Sequence, residues 1–206
     1  MAKAHNSILY GFIGAIAAVL GIVVALQFST PRGTELQSGT QLPQPRALPA
    51  FELVDQDAQP FGAPQLAGRW TLLFPGFTYC PDVCPTTLAL LKQVNAGLDE
   101  SLRPRVVFLS VDPERDTPAR LKSYVSHFDP GFFGVTAPEP QLSAIARGLG
   151  IAYAKVPGSS PDSYQMDHSA SLILLDPQAR IVAYFSPPFD PAKLSADLKA
   201  VIGNGA

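Results

Sequence analysis

The sequence predicts an α/β domain of about 155 residues that follows one membrane span and a tether. Three observations lead to this prediction: an uncharged apolar stretch near the N-terminus, a polar stretch behind it, and strand-like and helix-like segments that alternate from residue 51 onward. Alternating strands and helices are typical of a sheet whose parallel strands are connected by helices. The length that remains after the span and the tether matches one domain with a single core.

The apolar stretch covers residues 8–26, nineteen residues without a charged side chain. At a helical rise of about 1.5 Å per residue it nearly crosses a hydrocarbon core of about 30 Å. A cleaved signal peptide is the alternative, but its apolar core usually runs about 7 to 15 residues. We therefore expect residues 1–28 to form a single transmembrane anchor.

The polar stretch, residues 29–50, is rich in Pro, Gly, Ser, Thr and Gln and lacks apolar periodicity. Such a composition predicts a flexible tether, which would let the domain at 51–206 reach a partner embedded in the membrane. A simple spacer is an equally good interpretation. We expect the domain to face the periplasm, where a lone cysteine pair oxidises unless a reductant or a metal protects it.

The first part of the domain predicts two strands and a helix. Residues 51–55 and 70–74 are short apolar runs that suit strands. One face of the helix is marked by apolar side chains at steps of three and four: Leu88, Leu91, Val94 and Leu98. Pro85 fits the first turn of this helix, because proline needs no hydrogen-bond partner there.

The middle of the domain continues the alternation. Residues 105–111 form a short, β-branched, apolar run that suits a buried strand. Thr117 and Pro118 provide an N-cap and a first helical residue for a helix that ends near His127. Residues 132–135 are the next predicted strand.

A third helix is predicted over 141–149, and Gly150 is a typical helix end. Residues 151–156 then read as an extended segment. Residues 157–167 are polar and predict a loop.

The end of the domain predicts a β-hairpin and a last helix. Residues 171–175 and 181–186 flank a turn-like Asp-Pro-Gln-Ala-Arg segment, and the final helix starts near Ala192. The whole order is that of a thioredoxin-like α/β domain with an added β-hairpin. A cysteine pair behind the first core strand fits the same fold.

Charge excludes one class of function. The net charge is −2 and the sequence pI is about 5.9. The chain therefore offers no broad basic surface for releasing counterions from nucleic acid, and we expect no nucleic-acid binding.

Cys80 and Cys84 are the only cysteines, and they lie between the strand at 70–74 and the helix behind it. This position places both sulfurs near a helix N-terminus, where partial positive charge favours thiolate over thiol. Their spacing is one residue longer than the Cys-x-x-Cys of disulfide oxidoreductases, which indicates a pair that holds something between the sulfurs. We expect a metal there, and copper(I) in particular, because thiolates prefer soft ions.

His168 is the candidate third ligand, since copper(I) accepts two thiolates and an imidazole. It precedes the predicted strand at 171–175, and in a thioredoxin-like domain that loop faces the cysteine turn. A loop histidine bonded to the backbone is the alternative on pattern alone.

Two other interpretations of the cysteines stay open. One is a structural disulfide, but it would add little stability, because closing so short a loop removes little entropy from the unfolded chain. A zinc site would need a fourth protein ligand, Asp82 or Asp167.

Five further residues have ordinary structural explanations. His5 precedes the apolar stretch, and the charge of His127 can oppose a helix dipole. Met166 suits packing. Asp112 and Asp116 follow a core strand, where functional side chains gather, but turn and cap roles are favoured.

Three motifs lie at 77–85 (Phe-Thr-Tyr-Cys-Pro-Asp-Val-Cys-Pro), 110–118 (Ser-Val-Asp-Pro-Glu-Arg-Asp-Thr-Pro) and 167–169 (Asp-His-Ser). Together they resemble the Sco/SenC family of membrane-anchored copper proteins over roughly residues 51–202. The resemblance implies a thioredoxin-like fold. Tyr79 departs from the pattern, because many relatives carry histidine at this position.

The resemblance also implies the site and its metal. Members of the family bind copper through residues that correspond to Cys80, Cys84 and His168, and we expect Cu(I) here, with Cu(II) as a further form. Their role is the assembly of cytochrome c oxidase, so the implied function is delivery of copper to the dinuclear copper site of subunit II. Other periplasmic copper carriers and thiol reductants are further expected partners, and we assume a monomer.

Two alternative functions use the same cysteines. A thiol-disulfide reductase would cycle through a Cys80–Cys84 disulfide and keep target thiols reduced. A thioredoxin-fold peroxidase would form a sulfenic acid on Cys80 that Cys84 resolves. Since no long Arg-rich and Ser-rich transit sequence precedes the apolar stretch, we expect a bacterial inner membrane rather than a mitochondrion.

Overall fold

The computed structural model describes residues 14–23, 35–158 and 163–205. The chain divides into two compact units after Gly33. In the first unit residues 14–23 are helical, and the rest of the predicted span at 8–26 lies outside the described residues. Within the described ranges, no helix has the length and apolar character needed to cross a membrane.

The described part of the second unit alternates strands and helices as predicted. Its strands are β1 Gly39–Ala47, β2 Leu53–Asp55, β3 Pro60–Phe61, β4 Thr71–Gly76, β5 Arg105–Ser110, β6 Phe133–Thr136, β7 Tyr153–Pro157, β8 Tyr164–His168, β9 Leu172–Leu175 and β10 Arg180–Phe185. Its helices are α1 Ala63–Leu66, α2 Val83–Ala96, α3 Pro118–Phe128, α4 Gln141–Leu149 and α5 Pro191–Asn204, with a 3₁₀ turn at Glu100–Leu102.

Eight of the strands form one sheet in the order β1-β10-β9-β4-β5-β6-β2-β3, and β7 pairs with β8 in a separate two-stranded sheet. The central pairs β4–β5 and β5–β6 are parallel. The flanking pairs β4–β9 and β2–β6 are antiparallel. This mixed α/β sheet confirms the predicted class.

The core lies on both faces of the sheet, because successive side chains of a strand point to opposite faces. Leu72 and Phe74 belong to one buried cluster, which α2, α3 and α5 cover. Leu73 belongs to the other cluster, which α1 and α4 cover. Burying each of these side chains contributes about 2 kcal/mol, and the helices pack on the sheet for that reason.

Several predicted elements are confirmed closely. Helix α4 has the predicted bounds. Thr117 caps α3, because its side chain accepts a hydrogen bond from the Arg120 backbone N–H. The predicted β-hairpin is the antiparallel pair β9–β10, and it lies in the sheet between β4 and β1.

The predicted flexible tether is wrong for Gly39–Ala47, which forms β1 on the edge of the sheet beside β10. Polar contacts hold this segment in place: the backbone N–H groups of Gln37 and Ser38 donate to the buried carboxylate of Asp197. Arg46 donates to the hydroxyl of Tyr184. Partners far away in the sequence fix this strand, and its own residues lack the apolar periodicity from which a strand is predicted.

The predicted polar loop at 157–167 is wrong for its last part. Tyr164–His168 forms β8 and pairs antiparallel with β7, so that Tyr153 lies opposite His168. Exposed and half-buried side chains alternate along β8. Polar residues can therefore occupy this strand without an apolar face.

Candidate metal centre

The two cysteines lie where the central strand β4 leads into helix α2, with Cys80 on the turn and Cys84 in the first turn of the helix, as predicted. Gly76 ends β4, and a Cβ atom at this position would lie 2.5 Å from the Phe108 ring and 3.0 Å from Cys84 Sγ. Glycine is therefore required for the sulfur and the ring to pack over the strand end. The Cys80 backbone N–H donates to the carbonyl oxygen of Phe77 at 3.2 Å, which tightens the turn.

Both cysteines are free, and they differ in exposure. Cys84 is fully buried in the first turn of α2, whereas Cys80 is half-buried before the helix begins. The Cys84 backbone N–H donates to Cys80 Sγ at 3.3 Å. This geometry makes Cys80 the sulfur that an incoming group meets first.

Thiolate is not favoured at Cys84. Burial raises the pKa of the Cys84 thiol far above its ordinary value, and a backbone hydrogen bond from Phe77 offsets this only in part. The expectation that the helix N-terminus favours a Cys84 thiolate is therefore wrong, because the desolvation of a buried anion outweighs the helix dipole. A metal that binds there must displace the thiol proton.

A buried carboxylate fixes the start of the cysteine turn. Asp116 is fully buried and accepts hydrogen bonds from the Thr78 backbone N–H at 2.9 Å, the Thr78 hydroxyl at 2.6 Å and the Ser110 hydroxyl at 2.6 Å. Arg120 donates to Thr78 Oγ1 and lies 4.0 Å from Asp116. The sequence shows Asp116 but gives no sign of its partner Thr78, which lies 38 positions away.

A second polar cluster connects the cysteine turn with β8. Asp112 accepts hydrogen bonds from Arg115 Nε at 2.5 Å and from the Tyr164 hydroxyl at 2.7 Å. The Arg115 guanidinium lies 3.6 Å from the centre of the Tyr164 ring and 4.5 Å from that of Tyr79. Asp112 is therefore part of a link between two regions, and sequence reasoning missed Arg115 and Tyr164.

Tyr79 is an exposed aromatic side chain next to the cysteines, with 45% of its surface accessible. The Tyr79 ring contacts the guanidinium of Arg115, and the guanidinium of Arg120 also lies 4.0 Å from the ring centre. Two arginines thus hold the ring at the surface by cation–π attraction.

His168 ends β8 and is half-buried. Its Nδ1 lies 2.9 Å from the carbonyl oxygen of Ser169. Since a carbonyl only accepts, this contact favours the neutral tautomer with the proton on Nδ1, in which Nε2 keeps the lone pair that a metal would need. The imidazole also meets the Phe77 ring edge-on, with ring centres 5.8 Å apart.

The residues present fit a soft metal in donor type. Two sulfurs and an imidazole nitrogen are the donors that copper(I) prefers. In the described part of the chain, however, no three His, Cys, Asp or Glu side chains lie close enough to hold a metal ion together. Phe77 is the neighbour that His168 and the cysteine turn share, because its ring contacts the imidazole and its carbonyl oxygen accepts from the Cys80 N–H.

The other candidates from the sequence have structural partners or remain alternatives. Asp82 accepts from the Thr86 hydroxyl at the start of α2. Asp167 is exposed on β8, Met166 packs against both core clusters and His127 lies in the last turn of α3. His5 lies outside the described residues.

The fold and the turn define a thioredoxin-like protein with a free cysteine pair at the end of its central strand. The chain belongs to the SCO1/SenC family, whose model matches residues 39–203. The resemblance found in the three sequence motifs is therefore confirmed.

A solved relative with copper bound is ScoI of Bradyrhizobium japonicum. It is 36% identical with a TM-score of 0.65, and the match covers 74% of this chain and 98% of that one. A SCO2-like protein of Rickettsia felis is 36% identical over 151 residues, which cover 72% of this chain and 74% of the relative. The predictions of a thioredoxin-like Sco fold and of copper as the metal are confirmed at the level of these relatives.

BsSco, described as a member of the Sco family of cytochrome c oxidase assembly proteins, has the same fold with 21% identity and a TM-score of 0.61. The match covers 81% of this chain and 98% of BsSco. At this identity the likeness concerns the fold alone.

Proposed function

We propose that the protein is a copper chaperone that binds one copper ion through Cys80, Cys84 and His168. The observation that supports this most is the contact between two free sulfur residues on the turn of a Sco-family domain, with the Cys84 N–H 3.3 Å from Cys80 Sγ. The unprotonated Nε2 of His168 is the third donor. Each thiol that binds copper releases its proton, so binding should weaken at low pH.

The proposed destination of the copper is the dinuclear site of cytochrome c oxidase subunit II. Transfer would proceed by ligand exchange, in which a target cysteine replaces one donor at a time. The half-buried Cys80 is the donor that a target can reach first, whereas the buried Cys84 would release last. The assembly role described for the Sco family supports this destination.

A thiol-disulfide reductase is the second candidate, and the unequal burial of the cysteines favours it. The Cys80 thiolate would attack a target disulfide and release one target thiol, leaving a mixed disulfide. Cys84 would then displace the second target thiol and close a Cys80–Cys84 disulfide. An external dithiol reductant must return two electrons and two protons to restore the pair.

A peroxidase remains a prediction that a peroxide turnover assay on the reduced chain tests directly.

The proposed location is the bacterial inner membrane, with residues 8–26 as the anchor and the domain in the periplasm. Fractionation of cells that produce the full chain tests it. The domain should stay in the membrane fraction and become accessible to protease once the outer membrane is opened.

An anaerobic copper(I) titration of the reduced full chain against a competing chelator tests the main proposal. We expect one tight equivalent, lost in Cys84→Ser and strongly weakened in His168→Ala. His127→Ala is the matched control, because this histidine lies on α3, and its affinity should equal that of the unmodified chain. Weak binding that His168→Ala leaves unchanged would refute the three-donor site and favour the reductase.

A further inference from the structure

Arg115 lies on the loop between β5 and α3, and its side chain is only 19% exposed. Its guanidinium carbon packs among three aromatic rings, with ring centres 3.6 Å away for Tyr164, 4.5 Å for Tyr79 and 5.9 Å for Phe77. Tyr164 belongs to β8, whereas Phe77 and Tyr79 belong to the cysteine turn. Arg115 therefore bridges the two parts of the proposed metal site.

Hydrogen bonds fix the orientation of this guanidinium. Arg115 Nε donates to the buried carboxylate of Asp112 at 2.5 Å, and Nη1 donates to the backbone carbonyl of Tyr164 at 3.0 Å. The remaining nitrogen, Nη2, is buried without a hydrogen-bond partner among the described residues. A buried donor of this kind needs another source of stabilisation, and the surrounding rings supply it by cation–π attraction.

The contact with Tyr164 also concerns His168, because both lie on one face of β8. Tyr164, Met166 and His168 are half-buried, and the residues between them are exposed, as the alternation of side chains along a strand requires. All five residues of β8 pair with β7, so the strand moves as one unit. At the far end of this face the His168 ring meets Phe77, with ring centres 5.8 Å apart. A movement of Tyr164 away from the turn would therefore carry the imidazole with it.

A second polar link between the hairpin and this loop is weaker. Lys155 on β7 pairs with Glu114 at 2.5 Å, but the two side chains are 45% and 66% exposed, so that solvent screens their charges. Arg115 is mostly buried and bonds to a buried carboxylate and a backbone carbonyl. Hydrogen bonds from a charged group are strong in such surroundings. Arg115 is therefore the stronger of the two links.

We propose that Arg115 is a positioning residue of the copper site, which holds β8 against the cysteine turn and so keeps His168 available as the third donor. This inference rests on the proposed copper function. Arg115 does not touch the metal, but it limits how far the imidazole can move away from the turn. A donor that is already held near its place loses less freedom on binding, and the affinity is higher for that reason.

Arg115→Met tests the inference, since it removes the guanidinium and keeps an unbranched apolar side chain. Copper(I) affinity of the reduced full chain, measured against a competing chelator, should fall about tenfold, as is usual when a residue that supports a ligand is lost. In the His168→Ala background the same substitution should cause no further loss, because no imidazole is left to position. An effect of the Arg115 charge on the sulfurs would persist in that background.

Arg180→Met is the matched control. Arg180 also donates to a buried carboxylate, that of Asp176 at 2.7 Å. It lies at the start of β10, at the opposite end of the sheet from the cysteine turn. This variant should be less stable, with an unchanged copper affinity. Arg115→Lys keeps the charge without the planar guanidinium, and it should show the same dependence on His168 if Arg115→Met does not fold.

The outcomes separate this inference from the proposed function. Unchanged affinity in Arg115→Met would overturn the inference alone. An equal loss with and without His168 would overturn it too, because Arg115 would then act on the sulfurs or through general packing. If the unmodified chain binds no copper, or if His168→Ala leaves the affinity unchanged, the proposed three-donor site and this inference fail together.

Discussion

The cysteine turn and the β7–β8 hairpin, the two-stranded sheet that carries His168, are built in opposite ways. The turn continues a central strand, and Phe77, Thr78 and Cys84 are all buried. The hairpin is a separate two-stranded sheet, in which alternate residues of β8 are exposed. The core thus fixes the cysteine turn, whereas the strand that carries the third proposed ligand is held by the Tyr164–Asp112 hydrogen bond and by the packing of Met166.

This difference teaches where the site can adapt. A core-fixed cysteine pair keeps its geometry whether or not metal is bound, because moving it would disturb close packing. The hairpin can shift at lower cost, since elements with few buried apolar contacts open most easily. We expect copper binding to draw His168 toward the cysteines rather than the reverse.

Asp116→Ala should loosen the cysteine turn, the part of the site that the core fixes. It removes the acceptor of three buried donors, so we expect the free energy of unfolding to fall by about 3 kcal/mol. Urea unfolding of the reduced chain measures it. Copper affinity should fall as well, because Thr78 no longer holds the turn.

Asp57→Ala is the control for Asp116→Ala. Asp57 forms an exposed ion pair with Lys122 at 2.6 Å, and such pairs add little to stability because solvent and salt screen the charges. If both variants unfold at the same urea concentration, the turn does not depend on Asp116.

The pH dependence of stability should sharpen the picture of a buried Cys84. Because burial raises its pKa above the ordinary 9.0, the folded chain holds this proton more tightly than the unfolded chain does. The stability it contributes is fully present below pH 9.0 and declines as the pH rises, by at most about 1.4 kcal/mol per pH unit. Urea unfolding of the metal-free, reduced chain between pH 8 and pH 10.5 should show this decline.

Cys84→Ala isolates this effect from the titration of tyrosines. Its stability should fall less steeply with pH than that of the unmodified chain, and the difference measured at pH 7 gives the cost of the substitution itself. Parallel curves above pH 9 would mean that Cys84 is not buried as a thiol.

Local patterns predicted much of the fold and about half of the site. The bounds of α4 and the Thr117 cap follow from neighbouring residues, as does the position of both cysteines at the start of α2. Strand β1 could not be predicted in the same way, because its partner β10 lies about 140 positions away. Burial is equally non-local, so the sequence indicated a thiolate where the fold encloses Cys84 as a thiol.

Tyr164→Phe should loosen the β7–β8 hairpin, and of the changes considered it should have the smallest effect. The variant loses the hydrogen bond from the Tyr164 hydroxyl to Asp112, yet it keeps the ring under the Arg115 guanidinium. One such bond contributes about 1 kcal/mol, so amide exchange in Tyr164–His168 should become about fivefold faster. Hydrogen exchange followed by mass spectrometry measures it peptide by peptide.

Tyr184→Phe should leave this segment unchanged, because its hydroxyl contacts Leu149 and Arg46. Faster exchange spread evenly over the sheet would mean that the hairpin and the core open together, which would contradict the contrast between the two halves of the site.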